Sequence, residues 1–121
     1  MIKKIDYKNY GELTTVHNDT YFYRKTGTGP QTILIQPAWG SPSAEWWGIQ
    51  DKLSEFATVI TYDRLGYGFS SASKKPRTPA IVSLEMNEIL LKLGIQNPVL
   101  FIGNSLGCLY IRAFMIKYPD S

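Results

Sequence analysis

The stretch Val99-Leu100-Phe101-Ile102-Gly103-Asn104-Ser105-Leu106-Gly107 decides the fold. Its first four residues are a continuous apolar run, the pattern of a strand buried on both faces of a sheet. From Leu106 to Tyr118 the reading is a helix, and Pro119 closes it. Between strand and helix stands a Gly-x-Ser-x-Gly pentapeptide. With glycine near 7% of residues, chance alone places such a pentapeptide in about 4% of chains this long. Its position at a strand-to-helix junction is therefore more informative than its composition, because a nucleophile elbow needs that placement. There the serine is forced into a strained backbone conformation that lifts its hydroxyl clear of the sheet. The turn draws strand and helix so close that the residues two before and two after must lack side chains, which Gly103 and Gly107 satisfy. The helix starting at Leu106 aims its positive end and free N–H groups at the place where an oxyanion would form.

Working back toward the N-terminus, the same alternation recurs. Ala57-Thr58-Val59-Ile60-Thr61-Tyr62 reads as a strand, followed by a loop from Asp63 to Arg77. Thr78-Pro79 then opens a helix with Val82, Met86, Ile89, Leu90 and Leu93 on one face and Gly94 as its stop. Thr32-Ile33-Leu34-Ile35 is another buried strand. Behind it, Ser41-Pro42-Ser43 supplies an N-cap hydroxyl and a proline to a helix with Trp46, Ile49, Leu53 and Phe56 at helical spacing. Glu12 to Val16 and Thr20 to Lys25 are rich in β-formers around His17-Asn18-Asp19, which predicts a hairpin. A hairpin followed by three strand–helix units predicts an α/β fold, its sheet mostly parallel and covered on both faces.

Composition narrows the function classes. The chain has 121 residues, 44% of them hydrophobic, and a net charge of +3. That is enough apolar material for one domain and too small a charge excess for a nucleic-acid footprint. The densest basic run, Lys74, Lys75 and Arg77, reads as a solvated loop. One cysteine, Cys108, excludes an intrachain disulfide; without a His or Cys partner at ligand spacing it reads as a small buried residue, and no metal site is expected. Neither a signal-peptide core nor a membrane-span-length segment is present, so a cytoplasmic protein without membrane contact is expected. Gly66-Tyr67-Gly68 imitates the start of a dinucleotide fingerprint but lacks its third glycine and its helix, and no cofactor is expected. Trp46 and Trp47 read as core or rim residues of the first helix, and Asp63 as a structural carboxylate of its loop.

These motifs together resemble the α/β-hydrolase fold superfamily. Tyr62-Asp63-Arg64-Leu65-Gly66-Tyr67-Gly68-Phe69-Ser70 is similar to the family's Asp-Arg-x-Gly-x-Gly-x-Ser loop, Pro76-Arg77-Thr78 to the entry of its next helix, and Asn104 through Asp120 to its elbow helix and terminal Tyr-Pro. The resemblance implies that Ser105 is the nucleophile and that the Leu106 amide is one oxyanion donor. It implies a second donor in the Trp39 amide, from Pro37-Ala38-Trp39-Gly40. That loop departs from the family's His-Gly-x-Gly pattern at Pro37 and Ala38, and one misplaced donor costs on the order of 100- to 1000-fold in rate. Asn104 replaces a more common His, and Cys108 a frequent glycine. A serine nucleophile also disfavours epoxide or dehalogenase chemistry, where the family uses an aspartate.

The activating base is not visible. In this family the chain order is nucleophile, acid, histidine. Sixteen residues follow Ser105, with one acid, Asp120, and no histidine; the only histidine, His17, belongs to the predicted hairpin turn. Loss of nucleophile or base costs on the order of a millionfold in turnover. The expectation is thus a single partial domain, residues 1–121, corresponding to the N-terminal half of a serine hydrolase acting on ester or amide-type acyl bonds. The half carrying lid, acid and histidine is absent from this chain. Its partners would be a small acyl substrate and either a complementing C-terminal half or a second copy, since Val99–Ile102 suits a central strand better than an edge. The alternative is a non-catalytic remnant or binding protein that keeps the elbow for folding alone.

Overall fold

The computed structural model describes residues 7–96 and 98–119. Five strands, β1 (Glu12–Val16), β2 (Asp19–Thr26), β3 (Thr32–Gln36), β4 (Thr58–Tyr62) and β5 (Val99–Gly103), form one sheet in the order β1-β2-β4-β3-β5. The helices are α1 (Trp47–Leu53), α2 (Pro79–Lys92) and α3 (Leu106–Lys117). β3, β4 and β5 run parallel, while the β1–β2 hairpin joins antiparallel through β2. Val16 pairs with Asp19, so the turn is only His17-Asn18, both at positive φ as a two-residue primed turn requires.

Burial explains why the apolar runs do not alternate. All five residues of β3 are buried. Leu34 and Ile60 face a core shared with Val82, Met86 and Ile89 of α2 and Tyr110 and Phe114 of α3. Ile33, Ile35, Ala57 and Val59 face the other way, against Trp46 and Leu53 at α1. The sheet is covered on both faces. β5 has β3 as its one strand neighbour and no strand on its other side among the described residues. Its Leu100 is accordingly 52% exposed, although the sequence reads that strand as fully buried.

Three local expectations are corrected. The first helical segment starts with a 3-10 turn, Ser43–Trp46, whose N-cap is Pro42, with no serine hydroxyl capping it. The carboxylate of Asp63 does that work instead: it accepts the Ser43 N–H at 2.8 Å and the Phe69 N–H at 3.0 Å. Of the predicted α1 face, Ile49 and Phe56 are exposed and Gln50 is buried. Its amide donates to the carbonyls of Arg24 and Val59 and accepts from Thr61 Oγ1, so a polar side chain ties α1 to two strands. Arg77 leaves the solvated basic run and forms a bidentate pair with Glu85 of α2 at 2.9 and 2.6 Å. In urea unfolding, Met86→Ala is expected to cost about 2–5 kcal/mol. Phe56→Ala, outside the core, is expected to cost under about 0.5 kcal/mol; equal losses would contradict the burial described.

Candidate active site

The junction between β5 and α3 is built by close approach. Gly103 is the register partner of Gln36, the Asn104 N–H donates to the Gln36 carbonyl at 3.1 Å, and α3 begins two residues later. A Cβ at position 107 would land on that same Gln36 carbonyl and close to the Pro37 oxygen. One at 103 would meet the Ile111 side chain at 2.7 Å and the Cys108 backbone at 3.0 Å. The first turn of α3 therefore sits directly on the end of β3: only glycine fits at 107, where the clash is with backbone, and a side chain at 103 would have to push Ile111 aside.

Ser105 bears the cost of the reversal. Its φ is 53° and its ψ −115°, a region that a residue with a side chain rarely adopts, at a cost of order 1–3 kcal/mol. It occupies the N-cap of α3, where a serine hydroxyl ordinarily accepts a first-turn N–H. Here the hydroxyl makes no capping bond and the residue is exposed. The Leu106 N–H beside it, in the first turn of the helix, has no acceptor among the described residues. Cys108 is exposed, in contrast to the buried position expected for it.

The stretch from Pro37 to Ser41 leaves β3 at this point. Ala38–Ser41 is a tight turn: the Ser41 N–H donates to the Ala38 carbonyl at 3.2 Å, and Gly40 takes φ 74°. Trp39 stands at the first central position, 78% exposed, and its N–H is without an acceptor among the described residues. So the two backbone donors singled out from the sequence, at 39 and 106, each lie three residues beyond the paired Gln36 and Gly103 of adjacent strands, and neither has an acceptor among the described residues.

What sequence reasoning missed lies beneath that turn. Arg64 is only 3% exposed. Its Nη1 donates to Gln36 Oε1 at 2.9 Å and to the Pro37 carbonyl at 2.8 Å, and its Nη2 donates to the Ala38 carbonyl at 2.8 Å. The guanidinium lies 5.1 Å from the Tyr67 ring centre and 5.0 Å from that of Tyr110. The Tyr67 hydroxyl in turn accepts the Gly40 N–H at 3.2 Å. Gln36 completes the network by donating to the Tyr62 hydroxyl at 2.6 Å. Burial pushes the Tyr62 hydroxyl above its ordinary pKa, with Gln36 and Arg64 pulling the other way. The sequence signal was present in Gln36, a polar residue ending an apolar strand, and in the charged Asp63-Arg64 directly after another.

Among the described residues no base accompanies Ser105. His17 sits in the β1–β2 turn, at the opposite edge of the sheet from β5, with its Nε2 3.4 Å from Glu88. Asp63 follows β4, separated from β5 by β3, and is occupied by two backbone amides. Asp120 lies outside the described residues. Among the described residues no side chain hydrogen-bonds to the Ser105 hydroxyl, and no helix is long and apolar enough to cross a membrane.

Comparison with known proteins agrees with this fold. A family model described as alpha/beta hydrolase fold covers residues 31–121. An uncharacterized protein of Mycobacterium tuberculosis (strain H37Rv) is 32% identical over 109 residues, 90% of this chain and 31% of the relative. A (lyso)-N-acylphosphatidylethanolamine lipase of Bos taurus is 32% identical over 94 residues, 73% of this chain and 27% of that protein. Among solved structures, the enol-lactonase of Burkholderia xenovorans LB400 is similar with a TM-score of 0.82 at 25% identity, over 90% of this chain and 43% of the other. The chain spans about a third of the length of the curated relatives it matches.

The close approach can be tested by adding one carbon. Gly107→Ala should destabilise the fold by about 1–3 kcal/mol through overpacking. Gly48→Ala, in α1 with open space around it, should stabilise it by about 0.5–1 kcal/mol. Thermal unfolding of both variants checks the contrast, and a Gly107→Ala protein as stable as the parent would refute the contact.

Proposed function

Because the chain belongs to the alpha/beta hydrolase fold family, we propose that it is the nucleophile-bearing part of a cofactor-independent serine hydrolase that cleaves ester or amide-type acyl bonds. The observation that carries this reading is Ser105 itself: a serine at the N-cap of α3, at φ 53°, whose hydroxyl is exposed and leaves its own helix uncapped. A serine kept for folding alone would gain about 1 kcal/mol by capping, so the uncommitted hydroxyl favours chemistry. In the proposed reaction the Ser105 oxygen attacks the acyl carbon, and the carbonyl oxygen gains negative charge. The Leu106 and Trp39 N–H groups stabilise that oxyanion. Collapse of the tetrahedral intermediate expels the alcohol or amine, and water then hydrolyses the acyl-enzyme.

The proton of Ser105 needs an acceptor, since a neutral hydroxyl is a weak nucleophile. No imidazole or free carboxylate stands near it among the described residues, so the proposal places the base and its acid in sequence beyond residues 1–121. The open edge of β5, with Leu100 exposed, is where such a segment would join the sheet. Two similar proteins have names that fit ester bonds: a lipase at 32% identity and an enol-lactonase at 25%. The missing base is also the observation that favours the second reading, a non-catalytic protein retaining the elbow as a packing device.

Fluorophosphonate labelling of the protein at its full encoded length separates the two. The hydrolase reading expects one adduct, located by mass spectrometry on Ser105 and abolished in Ser105→Ala. A protein that stays unlabelled while folded supports the non-catalytic reading and overturns the first.

A further inference from the structure

We infer that Arg64 is a positioning residue for the oxyanion donor at Trp39, acting through the Ala38–Trp39 peptide group; this deepens the hydrolase reading and rests on it. The Ala38 carbonyl that Arg64 Nη2 holds at 2.8 Å and the Trp39 N–H belong to one planar unit. In a trans peptide the N–H points opposite to the C=O. Fixing the carbonyl toward the guanidinium therefore fixes the N–H away from it, out of the turn. The same carbonyl also accepts the Ser41 N–H at 3.2 Å, so both of its lone pairs are engaged. A peptide whose oxygen accepts a charge-assisted hydrogen bond is polarised, and its N–H becomes a stronger donor.

The environment of Arg64 argues that this placement is built for the turn. A buried cation ordinarily has an acidic partner. Among the described residues Arg64 has none: the three ion pairs there are His17–Glu88, Arg24–Asp51 and Arg77–Glu85. The nearest acid in sequence, Asp63, is spent on two backbone amides. Arg64 is instead solvated by three neutral oxygens and two aromatic faces, and two of those oxygens are consecutive carbonyls, 37 and 38, of the donor loop. Its Nε is buried and finds no partner among the described residues. A residue kept for sheet stability alone would gain more from a carboxylate. This one directs its full charge at the back of the peptide whose front would face substrate. It also answers how a loop reading Pro37-Ala38, without the usual histidine and glycine, holds its shape: the loop is gripped from below by a side chain.

The experiment uses the protein at its full encoded length with Arg64→Lys and Arg64→Met. The first keeps the charge without the fork, and the second removes both. Two readouts are taken: the Trp39 amide and Ala38 carbonyl NMR shifts, and the rate of fluorophosphonate adduct formation on Ser105. The expected result for Arg64→Met is a moved Trp39 amide signal with the Gly103 and Leu106 amides in place, and labelling slowed about 100-fold, as for loss of one donor. Arg64→Lys should recover part of that rate. If Arg64→Met does not fold, Arg64→Lys alone decides by the same two readouts. Unchanged labelling in a folded variant whose Trp39 signal has moved overturns the role of Arg64 and leaves the hydrolase reading intact. A parent protein that is never labelled overturns the hydrolase reading and this inference with it.

Discussion

The contact between the first turn of α3 and the last residue of β3 governs the rest of this structure. Gly107 lies against the Gln36 carbonyl so closely that no side chain fits, and Gly103 meets the helix from the other strand. With strand and helix held at that separation, the chain must reverse within one residue, and Ser105 takes the left-handed φ that the reversal demands. The same contact places the N-terminus of α3 beside the turn that follows β3. Backbone strain at Ser105, two uncommitted N–H groups and an exposed hydroxyl are thus consequences of one packing decision made by two glycines.

A second support is electrostatic. Removing a cation from water costs several kcal/mol even after relaxation, and Arg64 is nearly fully buried. What offsets that cost is a set of carbonyl oxygens and ring faces drawn from four places: the end of β3, the turn after it, Tyr67 of the loop after β4, and α3. Arg64 is therefore the point where β3, the loop after β4 and the elbow helix are tied together. On the proposed reading this is also where stability and reactivity meet, because one of the carbonyls that satisfy the charge, that of Ala38, is the back of the peptide whose N–H would hold an oxyanion.

Much of this was legible in sequence, and the reasons are physical. Apolar runs such as Thr32–Ile35 announce strands covered on both faces, and the helical period of Val82, Met86 and Ile89 announces α2, because burial selects those patterns directly. The elbow glycines were legible because close approach admits one residue type. Cooperative polar networks were not. Asp63 capping the segment at Ser43, Gln50 buried under α1 and Arg64 beneath the Trp39 turn each join residues 9 to 28 positions apart in the chain. Nothing local distinguishes such a side chain from a solvated one. The α1 face misled for a related reason: the helix ends at Leu53, so Phe56 lies beyond it and is exposed, while the tertiary hydrogen bonds of Gln50 turn that polar residue inward.

The most direct measurement of the central claim is the backbone conformation of Ser105 in solution, from its HN–Hα coupling and residual dipolar couplings. The account predicts a positive φ close to 53° in the folded protein. A φ in the right-handed helical or extended region, with the serine hydroxyl capping α3 in the ordinary way, would contradict it.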